Sequence, residues 1–353
     1  MKLRKKYIVL SLLLVLMLGC GKQKKVINSK DYSEISEVDM VNKNIKTEEL
    51  QNIMYPLIEN PNLLNKYGNI ISSYRLENFP DIFYNNYSQN FLDENNNFVM
   101  PNEEKINSFL LDYDENQYKM HLEKNMNDMK NELSKKPKYK NKELDKKTEE
   151  FINSIEEKLA SMDEIRNYYK NKEYQKDNFE KGKVLSEKYV KSYRNSLEKY
   201  DKFFHEFRKT MYVVMKNSIS VLNDQTGKSI LYNKLKVNLL CEMFRDKFYG
   251  SKLSIDTSKP FVIEDNDKEK YVNELKSIQK TLDYTISDMR KLDASKLSQE
   301  NISNEEFKNF LHKIEKISKN TKIIITKIET GKNNEVNEMI NEYSEKVEKL
   351  KKE

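Results

Sequence analysis

Apolar residues recur along most of this chain at steps of three and four. That is the period of one helix face, not the alternation of a strand. The first stripe runs over 48–74, through Leu50, Ile53, Met54, Leu57 and Ile58, then Leu63, Leu64, Tyr67, Ile70, Ile71 and Tyr74. Pro61 suits the first turn of its second half. Residues 75–102 break the period. Pro80, Pro101 and Asn95-Asn96-Asn97 predict an irregular excursion rich in Tyr and Phe. A helix over 102–134 follows, broken by Pro137.

The clearest stripe is Leu144, Thr148, Phe151, Ile155, Leu159, Met162, Ile165 and Tyr169. Asp177, with Glu180 three residues on, has the spacing of a capping box. A stripe then persists from Tyr189 through Tyr193, Leu197, Tyr200, Phe204, Phe207, Met211, Val214 and Ser218 to Val221, far longer than an average globular helix. Gly227 and Gly250 read as helix stops around Leu231, Leu235, Leu239, Met243 and Phe248. After an irregular link at 251–265 containing Pro260, three stripes close the chain. They are Tyr271–Leu275–Ile278–Leu282–Ile286–Met289, Phe307–Leu311–Ile314–Ile317–Ile324–Ile328, and Val336–Ile340–Tyr343–Val347–Leu350. Only Lys322–Thr326 is β-branched enough to be ambiguous. The expected fold is therefore all-α: an elongated antiparallel helical bundle, coiled-coil-like in its packing, in which neighbouring helices cover each other's apolar faces.

The amino terminus departs from this pattern. Lys2, Arg4, Lys5 and Lys6 precede an apolar run from Tyr7 to Leu18, too short for a bilayer span of about 20 residues and the right length for the apolar core of a signal peptide. The run ends in Met17-Leu18-Gly19-Cys20, which resembles the lipobox of bacterial lipoproteins. In that class a diacylglycerol is attached to the Cys thiol, the peptide is cut between the residues matching Gly19 and Cys20, and the new amino terminus is usually acylated, with palmitate-like chains completing the lipid anchor. Several chains are needed because one gives only marginal membrane binding. Residues 1–19 are thus expected to be a signal peptide, 20–37 a lipidated tether, and 38–353 the helical domain. Lys22, Lys24 and Lys25 in the tether suit anionic headgroups. Gly21 lacks the Asp that marks inner-membrane retention, so the outer membrane is favoured if the cell has two.

Charge narrows the partners. The chain carries 63 Lys+Arg and 57 Asp+Glu. Removing the four basic residues of the signal leaves 59 against 57, a net charge of +2, so no nucleic-acid role follows from the basic pI. With Cys20 lipidated, Cys241 lacks an intramolecular partner and is expected to be a small buried apolar residue.

Further along, Pro137-Lys138-Tyr139, Leu144-Asp145, Tyr168-Tyr169, Tyr174, Asp177-Asn178-Phe179 and Gly182 resemble the YiiG-like family of bacterial lipoproteins, most specifically over 137–207. The resemblance implies a lipobox and a helical domain of unknown function, and it supplies no catalytic residues.

Motif by motif, the chemistry is thin. Thr226-Gly227-Lys228-Ser229 ends like a phosphate-binding loop, but Leu222 stands where the first Gly belongs, and a helix precedes it rather than a strand. Asp93, Asn95, Asn97 and Glu104 fall at positions 1, 3, 5 and 12 of a calcium loop, yet Phe98 replaces the turn Gly and Pro101 follows. Asp112, Asp114, Asn116 and Glu123 make another partial match. His121, His205 and His312 are scattered, and Lys209 stands where a His205-Glu206 metalloprotease helix needs its second His. Glu149-Glu150 and Glu156-Glu157 read as solvated faces. The aromatic run Tyr189, Tyr193, Tyr200, Phe203, Phe204 and Phe207 is read first as core, with a ligand groove as the alternative.

No catalytic residue, metal or cofactor is expected. The expected function is a non-enzymatic structural or interaction domain on a lipid anchor, meeting the membrane through that lipid and envelope proteins or cell wall through its helices. The alternative is a lipoprotein holding a small or hydrophobic molecule between helices, and an envelope hydrolase ranks third.

Overall fold

The computed structural model describes residues 52–53, 56–57, 60, 62–76, 79–111, 116–135, 140–249, 261–263, 265–292, 297, 300 and 302–351. Leu18, Gly19, Cys20, Pro137 and Gly250 lie outside them, as do Asp112 and Asp114. The described chain is all-α, with a single isolated antiparallel bridge, Leu92 to Phe98. It divides into two compact units. One is Glu59–Arg208. The other is Lys209–Glu353 together with the described residues before position 59.

The first unit opens with α1 (Leu63–Leu76) and α2 (Phe79–Phe91). The latter helix corrects the expected excursion. Pro80 is tolerated because it falls in the first turn, where its missing N–H would be unbonded anyway, and Phe83, Tyr87 and Phe91 then bury one face at four-residue steps. Among the described residues of 75–102, only the stretch after Phe91 is irregular. The helix expected over 102–134 is two helices, α3 (Glu103–Leu111) and α4 (Asn116–Leu133). Next comes α5 (Lys142–Lys170), started by the Asn141 side chain accepting the Leu144 amide. A one-turn helix α6 (Tyr174–Asp177) leads into α7 (Glu180–Thr226).

α7 has 47 residues, about 70 Å at 1.5 Å per residue, and contributes to both units. Within the first unit it runs antiparallel to α5. Lys188 pairs with Glu164 at 2.6 Å, and Lys199 with Glu150 at 3.1 Å. Beside the second pair, Phe151 stacks on Phe203 with centroids 5.3 Å apart. The Tyr67 hydroxyl of α1 donates a 2.6 Å hydrogen bond to Asp145 of α5. Burial raises the Asp145 carboxyl's pKa, while this bond and Lys140 oppose the rise.

The second unit contains an up-and-down four-helix bundle of α8 (Ile230–Tyr249), α9 (Asp265–Arg290), α10 (Asn304–Glu329) and α11 (Val336–Lys351). Ion pairs fix the antiparallel register. Lys228, just before α8, pairs with Asp288 late in α9, and Lys247 late in α8 pairs with Glu274 in the first half of α9, while Arg290–Glu315 and Lys322–Asp283 pair α9 with α10 in the same antiparallel sense. α10 begins with a complete capping box between Ser303 and Glu306 and ends at Gly331 (φ 72°), with the Lys332 amide bonded back to the Lys327 carbonyl. The ambiguous Lys322–Thr326 is helical.

α8 is the innermost helix. Eight consecutive residues, Val237–Phe244, are buried, because Met215 of α7 joins α9, α10 and α11 in one apolar cluster around it. Cys241 is buried within that run, and its carbonyl accepts the Tyr343 hydroxyl at 3.0 Å.

Candidate functional site

The most unusual side chain of the first unit is Lys158, on α5 with 0 % exposure. A buried ammonium is costly unless its surroundings replace water. Its Nζ lies 3.4 Å from the Tyr74 hydroxyl, 4.6 Å from the Tyr74 ring centroid and 5.8 Å from that of Tyr193. The ring faces offer negative quadrupoles to the cation. Hydroxyls line the same seam, with Ser161 and Ser192 2.7 Å apart and Ser196 3.5 Å from the Tyr74 hydroxyl. Sequence reasoning passed over Lys158 because it follows Glu156-Glu157. A signal was present. Strict alternation of four and three from Leu144 gives 148, 151, 155, 158, 162, 165 and 169, placing Lys158 on the buried seam where the apolar reading took Leu159.

The aromatic run is core. Tyr200 stacks on Tyr74 at 4.9 Å, Phe207 lies 6.1 Å from Tyr67, Tyr189 meets Phe83 edge-on at 5.3 Å, and Tyr193 stacks on Tyr84 at 3.8 Å.

Most residues that carry the YiiG-like resemblance converge on the α5–α7 corner. Lys172 adopts a left-handed conformation that closes α5, with Glu173 N bonded to Tyr168 O at 3.1 Å. Asn178 and Phe179 are also left-handed, at φ 50° and 67°. Asp177 stabilises this reversal by accepting the Phe179 and Lys181 amides, both at 3.1 Å, and the Tyr168 hydroxyl at 2.8 Å. It therefore caps α7 through the amides flanking Glu180 rather than by the expected box spacing. Although desolvation opposes it, the Tyr168 and backbone hydrogen bonds hold the Asp177 pKa below its ordinary value. Gly182 is needed for close approach. A Cβ there would stand 2.9 Å from Tyr168 Cε1 and 3.3 Å from Tyr169 Oη. Tyr174 donates to Glu103 at 3.0 Å, joining α6 to α3.

The segment that ends like a phosphate-binding loop is a helix junction whose anion position is taken. Gly227 is left-handed at φ 65°, the Ser229 hydroxyl accepts the Tyr232 amide, and Lys228 pairs with Asp288 at 2.6 Å. The carboxylate of Glu300 accepts the Ile230 and Leu231 amides at 2.8 and 2.9 Å, where a helix amino terminus would otherwise receive a phosphate.

The partial calcium loop at Asp93 is a tight turn. Asp93 Oδ1 accepts the amides of Asn95 and Asn97, both at 2.8 Å, and Asn97 Nδ2 reaches Oδ2. Those Asn97 contacts lower the Asp93 pKa, so the carboxylate already serves the loop backbone. Asn96, left-handed at φ 63°, accepts the Tyr84 hydroxyl at 2.7 Å. From the other partial calcium match, Asn116 and Glu123 lie on α4. His121, His205 and His312 are all exposed, on three different helices, and among the described residues no three His, Cys, Asp or Glu side chains form a metal set.

The second unit holds a buried ionic cluster on α8. Arg245 pairs with Glu242 (1 % exposed) one turn back and with Glu348 of α11. Burial alone would lower the guanidinium pKa, but the two carboxylates hold it above its ordinary value.

Among the described residues no helix is long and apolar enough to cross a membrane. No curated protein and no solved structure matches the chain. A family whose description is "Protein of unknown function (DUF3829)" matches residues 65–353, which takes in both units almost entirely. The chain belongs to the DUF3829 family of proteins of unknown function.

Proposed function

We propose that this protein is an envelope lipoprotein: cut between Gly19 and Cys20, acylated on Cys20, and displaying its helical domain as a non-enzymatic interaction module of YiiG-like type. The observation that carries the proposal is the sequence Met17-Leu18-Gly19-Cys20 at the end of a basic, then apolar, leader. The tether of 20–37 sets the domain off from the lipid, in the outer membrane if the cell has two.

The geometry supports the interaction reading in one respect. The places that resembled chemical motifs, and the corner that carries the family resemblance, are occupied by side chains that hold the fold. Asp93 serves a turn, Asp177 caps α7, and Glu300 fills the amino-terminal end of α8. The stripe of aromatic rings packs on other rings, which favours contacts through outer helix faces over a ligand held between helices. Envelope proteins or cell wall are the partners such faces would meet.

Intact mass of the protein extracted from its native membranes, beside Cys20→Ala, tests the anchor. An acylated chain beginning at Cys20, with a heavier precursor in the variant, is expected. An unmodified chain beginning elsewhere would overturn the reading. Cross-linking in intact cells then tests the interaction module, which requires specific adducts to envelope components.

A further inference from the structure

The outer face of α10 carries charge of one sign. Residues 308–327 contain six lysines, Lys308, Lys313, Lys316, Lys319, Lys322 and Lys327, and one acidic residue, Glu315. Their net charge of +5 exceeds the +2 of the whole chain after the signal. The neighbouring helices are balanced: α9 has five basic and six acidic residues, and α11 has three and four. The helix dipole accounts for a lysine only in the last turn, where Lys327 lies. Solubility does not account for the rest, since a face of mixed charge serves it as well.

The lysines are also placed together. At 100° per residue, Lys308, Lys316, Lys319 and Ile323 fall within an arc of about 80°, opposite the buried Ile314, Thr321 and Ile328. They extend for about 22 Å along the helix. Ion pairs lie at the edges of this face, where Lys322 meets Asp283, Arg290 meets Glu315 and Lys327 meets Glu335. Lys308, Lys316 and Lys319 are exposed, and among the described residues no carboxylate lies within ion-pair distance of them. Ile323, 37 % exposed, stands beside them.

We propose that this face docks on the anionic phospholipid surface of the bilayer that holds the anchor. The inference rests on the lipoprotein reading and gives its domain a second membrane contact. Each lysine brought to an anionic surface strengthens attachment about fivefold. Ile323 favours a bilayer over a soluble phosphate polymer, because only the bilayer offers an apolar layer beneath the charged headgroups. The chain also arrives on the right unit. Ile53 and Leu57, which precede position 59, belong to the unit that carries α10. The tether of 20–37 reaches about 60 Å when extended, enough to let α10 turn toward the membrane.

Cosedimentation of the full chain carrying Cys20→Ala with lipid vesicles tests this, since no acyl chain then holds the protein. Vesicles of phosphatidylglycerol mixed with phosphatidylcholine should bind it more tightly than phosphatidylcholine alone. Adding Lys308→Gln, Lys316→Gln and Lys319→Gln together should weaken binding to the anionic vesicles about a hundredfold and leave binding to the neutral ones as it was. Glutamine suits a helix nearly as well as lysine, so the fold should persist, which circular dichroism checks. Lys105→Gln, Lys142→Gln and Lys146→Gln remove the same charge from exposed positions of the other unit and should have little effect. Equal binding of the parent to both kinds of vesicle would overturn the proposal. So would equal losses in the two triple variants, or tighter binding of the parent to a soluble glycerol-phosphate polymer at equal phosphate. The intact-mass measurement decides the anchor separately, so failure of one reading is not mistaken for failure of the other.

Discussion

The hydroxyl of Tyr168 donates a 2.8 Å hydrogen bond to Asp177, nine residues later, and the same carboxylate receives the amides of Phe179 and Lys181. One side chain thereby fastens the end of α5 to the start of α7 through two left-handed residues, Asn178 and Phe179, that would otherwise be strained. The Tyr168 ring can take this position only because α7 carries no side chain at 182. Gly182→Ala is therefore expected to destabilise the protein by about 1 kcal/mol. Alanine gains up to about 1 kcal/mol in helix propensity, but forcing a Cβ into a packed ring costs about 1–3 kcal/mol. Urea unfolding monitored by circular dichroism decides it, and a more stable variant would mean that the Tyr168 ring can move aside.

The amino-terminal end of α8 gives another prediction. Glu300 accepts two backbone amides there, at 2.8 and 2.9 Å, and its charge opposes the positive end of the helix dipole. Glu300→Ala should cost about 1–2 kcal/mol, the usual scale for a lost cap. Glu300→Gln, which keeps an acceptor but no charge, should lie between. Equal stability of all three proteins would show that solvent replaces the cap without loss.

Where the sequence was legible, one helix face explains why. The stripe Val336–Ile340–Tyr343–Val347–Leu350 predicts α11, and all five residues are buried. Composition misled at 75–102, because Pro80 ends a helix in its interior but is harmless in the first turn, and the distinction depends on where α2 begins. Lys158 was hidden for a different reason. Its place on the seam follows from register, but its burial depends on Tyr74 and Tyr193, which lie far away in sequence. The close approach of the Tyr168 ring to Gly182 was equally unreadable, since the packing of α5 on α7 is specified by no local pattern. Gly182 itself stood out only through the family resemblance.

Lys158 yields a third prediction. Truncation to Ala removes a fully buried stem from between the rings of α1 and α7, and the cavity should cost about 2–4 kcal/mol. Acylation by a lysine reagent gives an independent check. Lys158 should stay unmodified in the folded protein while exposed lysines such as Lys188 react, and should react once urea unfolds the chain. Native-state labelling of Lys158 at the rate of Lys188 would contradict its burial.

The buried tyrosines set the alkaline limit of the fold. Desolvation raises the pKa of Tyr67 and Tyr343 above the ordinary 10.0, and of Tyr87 and Tyr169 with them. For each, the folded pKa exceeds the unfolded one, so the stabilisation is fully present below pH 10 and is lost as the pH rises through the folded pKa. Tyrosinate absorbance should therefore show two phases. Solvent-exposed phenols titrate first, and the buried set ionises together with the loss of helical circular dichroism. A single graded titration that leaves the helix signal intact would refute the coupling.

Arg245 carries the largest expected penalty. Its guanidinium spans Glu242 on its own helix and Glu348 on α11, in a region where α8 is covered by α7, α9, α10 and α11. The attraction offsets desolvation only while both signs are present. Arg245→Ala leaves the Glu242 carboxylate, 1 % exposed, without its neighbouring cation, and removing one partner of a buried pair costs about 3–5 kcal/mol. Arg245→Lys keeps the charge but not the planar fork that reaches two carboxylates at once, so it should recover only part of the loss. Lowering the pH distinguishes charge from packing. Protonating Glu242 and Glu348 should narrow the gap between Arg245→Ala and the parent protein, because the carboxylate charge that Arg245 faces disappears while the missing side-chain volume does not. If the gap is the same at acid and neutral pH, the loss comes from packing alone, and the ionic cluster contributes nothing to holding α8 against α11.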